Sequence, residues 1–137
     1  MWAGHEFHAI GAFLSDIRPK PQLVIVDDDV EMVEALAGLL SIKGFAAKAF
    51  HGPKETLEYI RSNGVCDLVI ADLRMGDQGT GLELYEAVQL VRKIPFLILT
   101  GDVSGFEEMF DHYKVKMLMK PVPSSTLVAE INAILKR

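Results

Sequence analysis

The chain has 137 residues, half of them apolar, and a net charge of −5. That length suits one domain with little left for a second, and no apolar run reaches the ~18–20 residues that cross a bilayer. The acidic balance, without clustered Lys and Arg, argues against direct nucleic-acid binding. No signal peptide is visible, and the single cysteine, Cys66, permits no internal disulfide. A cytoplasmic protein with no membrane segment is the expectation, and Cys66 reads as a small core or edge residue.

Residues 1–21 stand apart from the rest. Phe7, Ile10, Leu14 and Ile17 follow a heptad-like spacing, and the Arg-Pro-Lys-Pro stretch ending at Pro21 reads as a linker. A short amphipathic helix is expected there, with three uses open: forming a homodimer, packing back on the domain, or ending an upstream segment. His5 and His8 lack a third ligand and read as solvated rather than metal-binding.

From residue 22 to 137 strands and helices alternate. Apolar runs predict strands at 23–27, 46–50, 67–72, 95–100 and 115–119. Helical spacing predicts helices at 30–43, 53–62, 81–92, 104–113 and 124–136. Gly44 is a stop for the first helix and Pro53 a start for the second. The strands are nearly continuously apolar, as strands buried on both faces are. This is an α/β pattern: a doubly wound, five-stranded parallel sheet with helices on both sides, in the flavodoxin-like order 2-1-3-4-5.

In such a sheet, ligands bind outside the carboxyl ends of the strands. The first strand ends in Asp27, Asp28 and Asp29, the third in Asp72, the fourth in Thr100 and the fifth in Lys120. Two carboxylates ~4 Å apart repel by roughly 4 kcal/mol at an effective dielectric of ~20. Asp27, Asp28 and Asp72 therefore need positive company beyond Lys120, and an all-oxygen donor set with free positions suits Mg²⁺. The Thr100 hydroxyl and the Lys120 ammonium can then serve the other oxygens of a phosphoryl group, with Asp72 as nucleophile. Asp29 reads as the cap of the first helix. Singly, each of these residues has a bland structural explanation; their convergence at one sheet edge does not.

With the motifs LVIVDDD (23–29), DLVIADLRM (67–75), GLEL (81–84), IPFLILTG (94–101) and MKPV (119–122), the sequence resembles the response-regulator receiver family over about residues 22–137. The resemblance implies that Asp27 and Asp28 hold Mg²⁺ and that Asp72 accepts the phosphoryl group. It also implies that Arg74 lends its backbone carbonyl to the metal, and that Thr100 is the switch hydroxyl. Lys120 is then the family's lysine, followed by a proline after a commonly cis peptide. The donor would be a histidine kinase or phosphotransfer protein, and the output a changed affinity for an unknown protein target. Such a domain is not an enzyme in the usual sense.

Three departures from the family pattern stand out. Gly76 occupies the usual proline position, in a loop with one extra residue. Met117 replaces the aromatic three residues before the lysine. The stretch between Thr100 and Lys120 is short, so a short or irregular fourth helix is expected. Arg74 and Asp102 should flank the mouth of the site and pair across it, hindering hydrolysis of an acyl phosphate. A degenerate receiver acting only as an interaction module is the alternative, which the complete acidic, hydroxyl and lysine set argues against. An aspartyl phosphohydrolase would want a second carboxylate where Arg74 stands. No output domain is visible in the sequence, which reads as a stand-alone receiver or part of a larger regulator.

Overall fold

A computed structural model describes residues 19–137. The expected helix and histidines of the first 17 residues lie outside the described part. The elements run β1 (Gln22–Val26), α1 (Val30–Ile42), β2 (Ala46–Phe50), α2 (Pro53–Arg61), β3 (Leu68–Asp72), a 3-10 turn (Gly76–Gln78), α3 (Gly81–Gln89), β4 (Phe96–Thr100), α4 (Glu107–Tyr113), β5 (Lys116–Met119) and α5 (Ser124–Leu135). All five strands are parallel, in the order β2-β1-β3-β4-β5. This is the doubly wound arrangement that the sequence predicts.

The continuous apolar runs follow from the sheet's two covered faces. Leu23, Ile25, Leu68, Ile70, Leu97 and Leu99 pack against Val33, Ala37 and Leu40 of α1 and Leu127 and Ile131 of α5. Their strand neighbours Val24, Val26, Val69, Ala71 and Ile98 point the other way, onto Ile60 of α2 and Leu84 and Val88 of α3. Successive strand residues face opposite sides, so both parities must be apolar. The central strands are fixed on two faces, which holds the residues at their carboxyl ends in place.

Local chemistry sets the helix ends. The Asp29 carboxylate accepts the Met32 backbone N–H and caps α1, as expected. Thr80 and Glu83 form a reciprocal capping box at the start of α3. Two helices differ from their expected spans. α3 stops at Gln89 instead of residue 92: the Gln89 side chain donates to the Ile94 carbonyl, and Pro95 disfavours helical backbone at the residue before it. α4 begins at Glu107 instead of residue 104, because Gly105 takes a positive φ of 87° in the preceding turn. Only seven residues remain, which is the short fourth helix that the spacing implies.

Candidate functional site

Asp27 follows directly on β1, and its N–H donates to the Phe50 carbonyl of β2 at 3.2 Å, extending the ladder. The residue is therefore held at 7% exposure. Burial pushes its carboxyl above the ordinary range, partly opposed by the Asp29 N–H, which donates to Asp27 Oδ1 at 3.0 Å. The Asp72 charge pushes the same way as burial, while Lys120 opposes it. Asp28 is exposed and Asp72 half-buried. Asp27, Asp28 and Asp72 each offer a carboxylate oxygen, all within 4.8 Å of one another.

Lys120 reaches this group from the far side of the sheet. Its N–H donates to the Thr100 carbonyl at 2.8 Å, extending the β4–β5 pairing by one residue. Its ammonium lies 3.6 Å from Asp27 Oδ2 and 3.5 Å from Asp72 Oδ1. The peptide to Pro121 is cis. One ammonium faces three carboxylates, so the pocket retains a negative surplus. All-oxygen donors, one of them exposed, suit a hard divalent cation that keeps some of its water. Among the described residues this is the only group of three or more acidic, His or Cys side chains placed to hold a metal.

Gly76 borders the same pocket: a Cβ added there would lie 3.5 Å from Asp28 Oδ2. Its φ is 62° and that of Gly79 is 106°. Proline is locked near −65°, so the loop with the extra residue cannot take this course with proline at position 76. The missing proline is thus a consequence of the loop's path.

Thr100 ends β4 at 2% exposure. Its hydroxyl donates to the Asp102 carbonyl at 3.0 Å and accepts the Asp102 N–H at 3.2 Å. Both of its roles are therefore spent within its own loop. Arg74, two residues beyond Asp72, spans to that loop. Its Nη2 donates to the Ser104 carbonyl at 2.7 Å and lies 3.9 Å from Asp102 Oδ2. The expected Arg74–Asp102 pair is present, at the long end of an ion pair. The Ser104 hydroxyl and N–H, donating to Asp102 Oδ1 at 2.6 and 2.8 Å, hold the Asp102 carboxyl below its ordinary range, with Arg74 a smaller contributor.

Met117 lies in β5 opposite Ile98 and packs, half-buried, against the core alongside Phe106, Met109 and Phe110. Two neighbours of the site are absent from the expectations. The Ser104 carbonyl binds Arg74, and the Arg74 guanidinium carbon sits 5.0 Å from the Phe106 ring centre. Sequence spacing places both residues in a helix, so nothing local signals that they belong to a loop facing Arg74.

A cavity of about 550 Å³ opens beside the pocket. Asp27, Asp72 and Lys120 form one wall, and Met32, Leu36 and Val122 supply apolar surface. Val30 and Met32 stand about half exposed at the start of α1.

The family profile for the response regulator receiver domain matches residues 23–132. The Haemophilus influenzae "Transcriptional regulatory protein CpxR homolog" is 32% identical over 122 residues, covering 85% of this chain and 51% of that protein. Escherichia coli "Transcriptional regulatory protein GlrR" is 31% identical over 122 residues, covering 86% of this chain and 27% of that protein. The chain thus spans about half or less of the length of these relatives. Among solved structures, a CheY-like receiver domain protein from Methanospirillum hungatei superposes with a TM-score of 0.75 at 25% identity, over 86% of this chain and 95% of that one. A two-component response regulator from Clostridium difficile does so at 0.74 and 25%, over 86% and 98%. With the sheet order, the acidic pocket and the lysine in agreement, this chain belongs to the response regulator receiver domain family of two-component signalling.

Proposed function

We infer that residues 22–137 act as a phosphoacceptor domain in which Asp72 takes a phosphoryl group from a phosphohistidine on a histidine kinase or phosphotransfer protein. The observation that carries this reading is the Lys120 ammonium held between Asp27 and Asp72 at 3.6 and 3.5 Å, at the mouth of a three-carboxylate pocket. An Asp72 oxygen attacks phosphorus, the phosphorus–nitrogen bond breaks, and the imidazole nitrogen leaves with its electron pair. Lys120 orients the Asp72 carboxylate and offsets charge on the transferred oxygens. Asp27 and Asp28, with the Arg74 carbonyl, would hold Mg²⁺. When bound, that ion neutralises the crowded oxygens and draws charge from the phosphoryl group.

The apolar surface by Val30 and Met32 favours a protein donor over a free metabolite, since a small phosphodonor gains nothing from it. In the output step the Thr100 hydroxyl leaves Asp102 for the phosphoryl group, and the surface formed by α4, β5 and α5 changes its affinity for a protein target. The 1–21 segment is an appendage to this domain with homodimerisation as one use. The domain acts in the cytoplasm on protein partners and does not itself bind nucleic acid. It is a signalling module and not an enzyme with a separate substrate. No helix among the described residues is long and apolar enough to cross a membrane.

The reading is tested by incubating the full chain with a small phosphodonor and Mg²⁺ and recording its intact mass. One phosphoryl group should add to the wild type and none to Asp72→Asn. Failure of the wild type to gain mass, or an equal gain by the variant, overturns the assignment.

A further inference from the structure

In the proposed switch, the Thr100 hydroxyl must exchange the Asp102 backbone for the phosphoryl group. The loop that occupies it is closed by a continuous series of contacts. Thr100 bonds both backbone groups of Asp102. The Asp102 carboxylate accepts the N–H and hydroxyl of Ser104. The Ser104 carbonyl accepts from Arg74 at 2.7 Å, and the guanidinium lies over Phe106 at 5.0 Å. Every link from this loop to the acceptor loop in that series passes through one side chain, two residues from Asp72.

We propose that Arg74 is a positioning residue that clamps the β4–α4 loop, holding the Thr100 hydroxyl on Asp102, and that Phe106 is the aromatic side chain that registers release of the clamp. The proposal rests on the reading of Asp72 as the acceptor and adds the device that biases its switch. A flat guanidinium can donate along its edge to Ser104 while its face stacks on a ring; an ammonium has no flat face and holds the two partners less firmly in one geometry. Movement of Thr100 toward Asp72 requires the loop to shift against Arg74, so the clamp stabilises one arrangement over the other. Phe106 is itself packed against the core, as are half-buried Met109, Phe110 and Met117. Release of its ring therefore changes the packing of α4 and β5. An aromatic at position 117 is not needed for that coupling. Arg74 is half exposed, so the bias is modest. A stack of this kind is worth about two- to fivefold in an equilibrium.

The test is a double-substitution cycle in the full chain with Arg74→Lys, Phe106→Leu and their combination. Amide hydrogen exchange of residues 101–106 is read in the unphosphorylated protein. Initial phosphoryl uptake from a small phosphodonor with Mg²⁺ is read by intact mass. Lysine keeps the charge, so a purely electrostatic role leaves Arg74→Lys like the wild type. The clamp predicts exchange about two- to fivefold faster in each single variant and little further gain in the double. It also predicts faster uptake in all three. Additive effects, or wild-type behaviour of Arg74→Lys, overturn the clamp. A wild type that takes up no phosphoryl group overturns the acceptor reading instead, and the exchange cycle still decides whether Arg74 and Phe106 act as a unit.

Discussion

The strands that carry the acidic pocket and the elements around Met117 are built to different standards. β1 and β3 lie in the centre of the sheet, and four of the five residues in each are buried. β5 is an edge strand with no fully buried residue, and α4 has seven residues and none buried. The difference separates two tasks. Holding three carboxylates close together needs a scaffold that does not yield. Changing shape in response to a phosphoryl group needs elements with little burial to lose, and such elements open at low free-energy cost. The three carboxylates stand on the stiff side of the molecule and the proposed output on the loose side, with Thr100, Arg74 and Lys120, which follows β5, at the seam.

Substitutions on either side can break this comparison. The largest effect is expected from Ile70→Ala in β3, where a side chain only 1% exposed would leave a cavity. The cost should be about 3–4 kcal/mol, read as a lower urea midpoint at unchanged slope. Gly81→Ala comes next. Its Cβ would lie 2.5 Å from the Asp72 carbonyl oxygen and 2.9 Å from Ile98 Cδ1, against backbone that cannot swing away. A loss of ~2 kcal/mol is expected, together with slower phosphoryl uptake as the Asp72 backbone is displaced.

Asp27→Asn should act in the opposite direction. Burial raises the Asp27 carboxyl above its ordinary value of 3.8. The folded state therefore holds the proton more tightly than the unfolded chain does. Its contribution to stability is fully present below that ordinary value and is lost as pH rises through the raised one. Asparagine does not titrate, so the metal-free variant should be more stable than the wild type at neutral pH. The advantage should vanish in acid, and denaturation at several pH values checks it. The smallest effect belongs to the loose side: Met109→Ala on α4, half-buried, should cost less than ~1 kcal/mol. A cost equal to that of Ile70→Ala would erase the distinction between the two regions.

The stiff side is also the part most legible in the sequence. A strand buried on both faces must be apolar at nearly every position, so the runs at 68–71 and 96–99 announce themselves, and the polar residue that ends each run, Asp72 or Thr100, marks the sheet edge. Asp27, Asp72 and Thr100 follow from that rule, Asp28 from its place beside Asp27, and Lys120 from its place after the fifth, less buried strand; the structure brings the three carboxylates and the ammonium together. The loose side is less legible because it is governed by tertiary contacts. Helical spacing extends the fourth helix back to Ser104, whereas the turn at Gly105 frees Ser104 and Phe106 to meet Arg74. The end of α3 is misjudged for a similar reason, since the side chain of Gln89 ties down a carbonyl five residues ahead. Gly76 is visible as a departure, but its reason, a φ of 62°, is a property of the folded loop.

The central claim is that Asp72, among three neighbouring carboxylates, is the one that takes the phosphoryl group. Borohydride reduction of the phosphorylated chain, followed by peptide mapping, tests this most directly, because it converts an aspartyl phosphate to homoserine. Homoserine at position 72 alone, dependent on both phosphodonor and Mg²⁺, is the predicted result. Homoserine at position 27 or 28, or at none of the three, would contradict it.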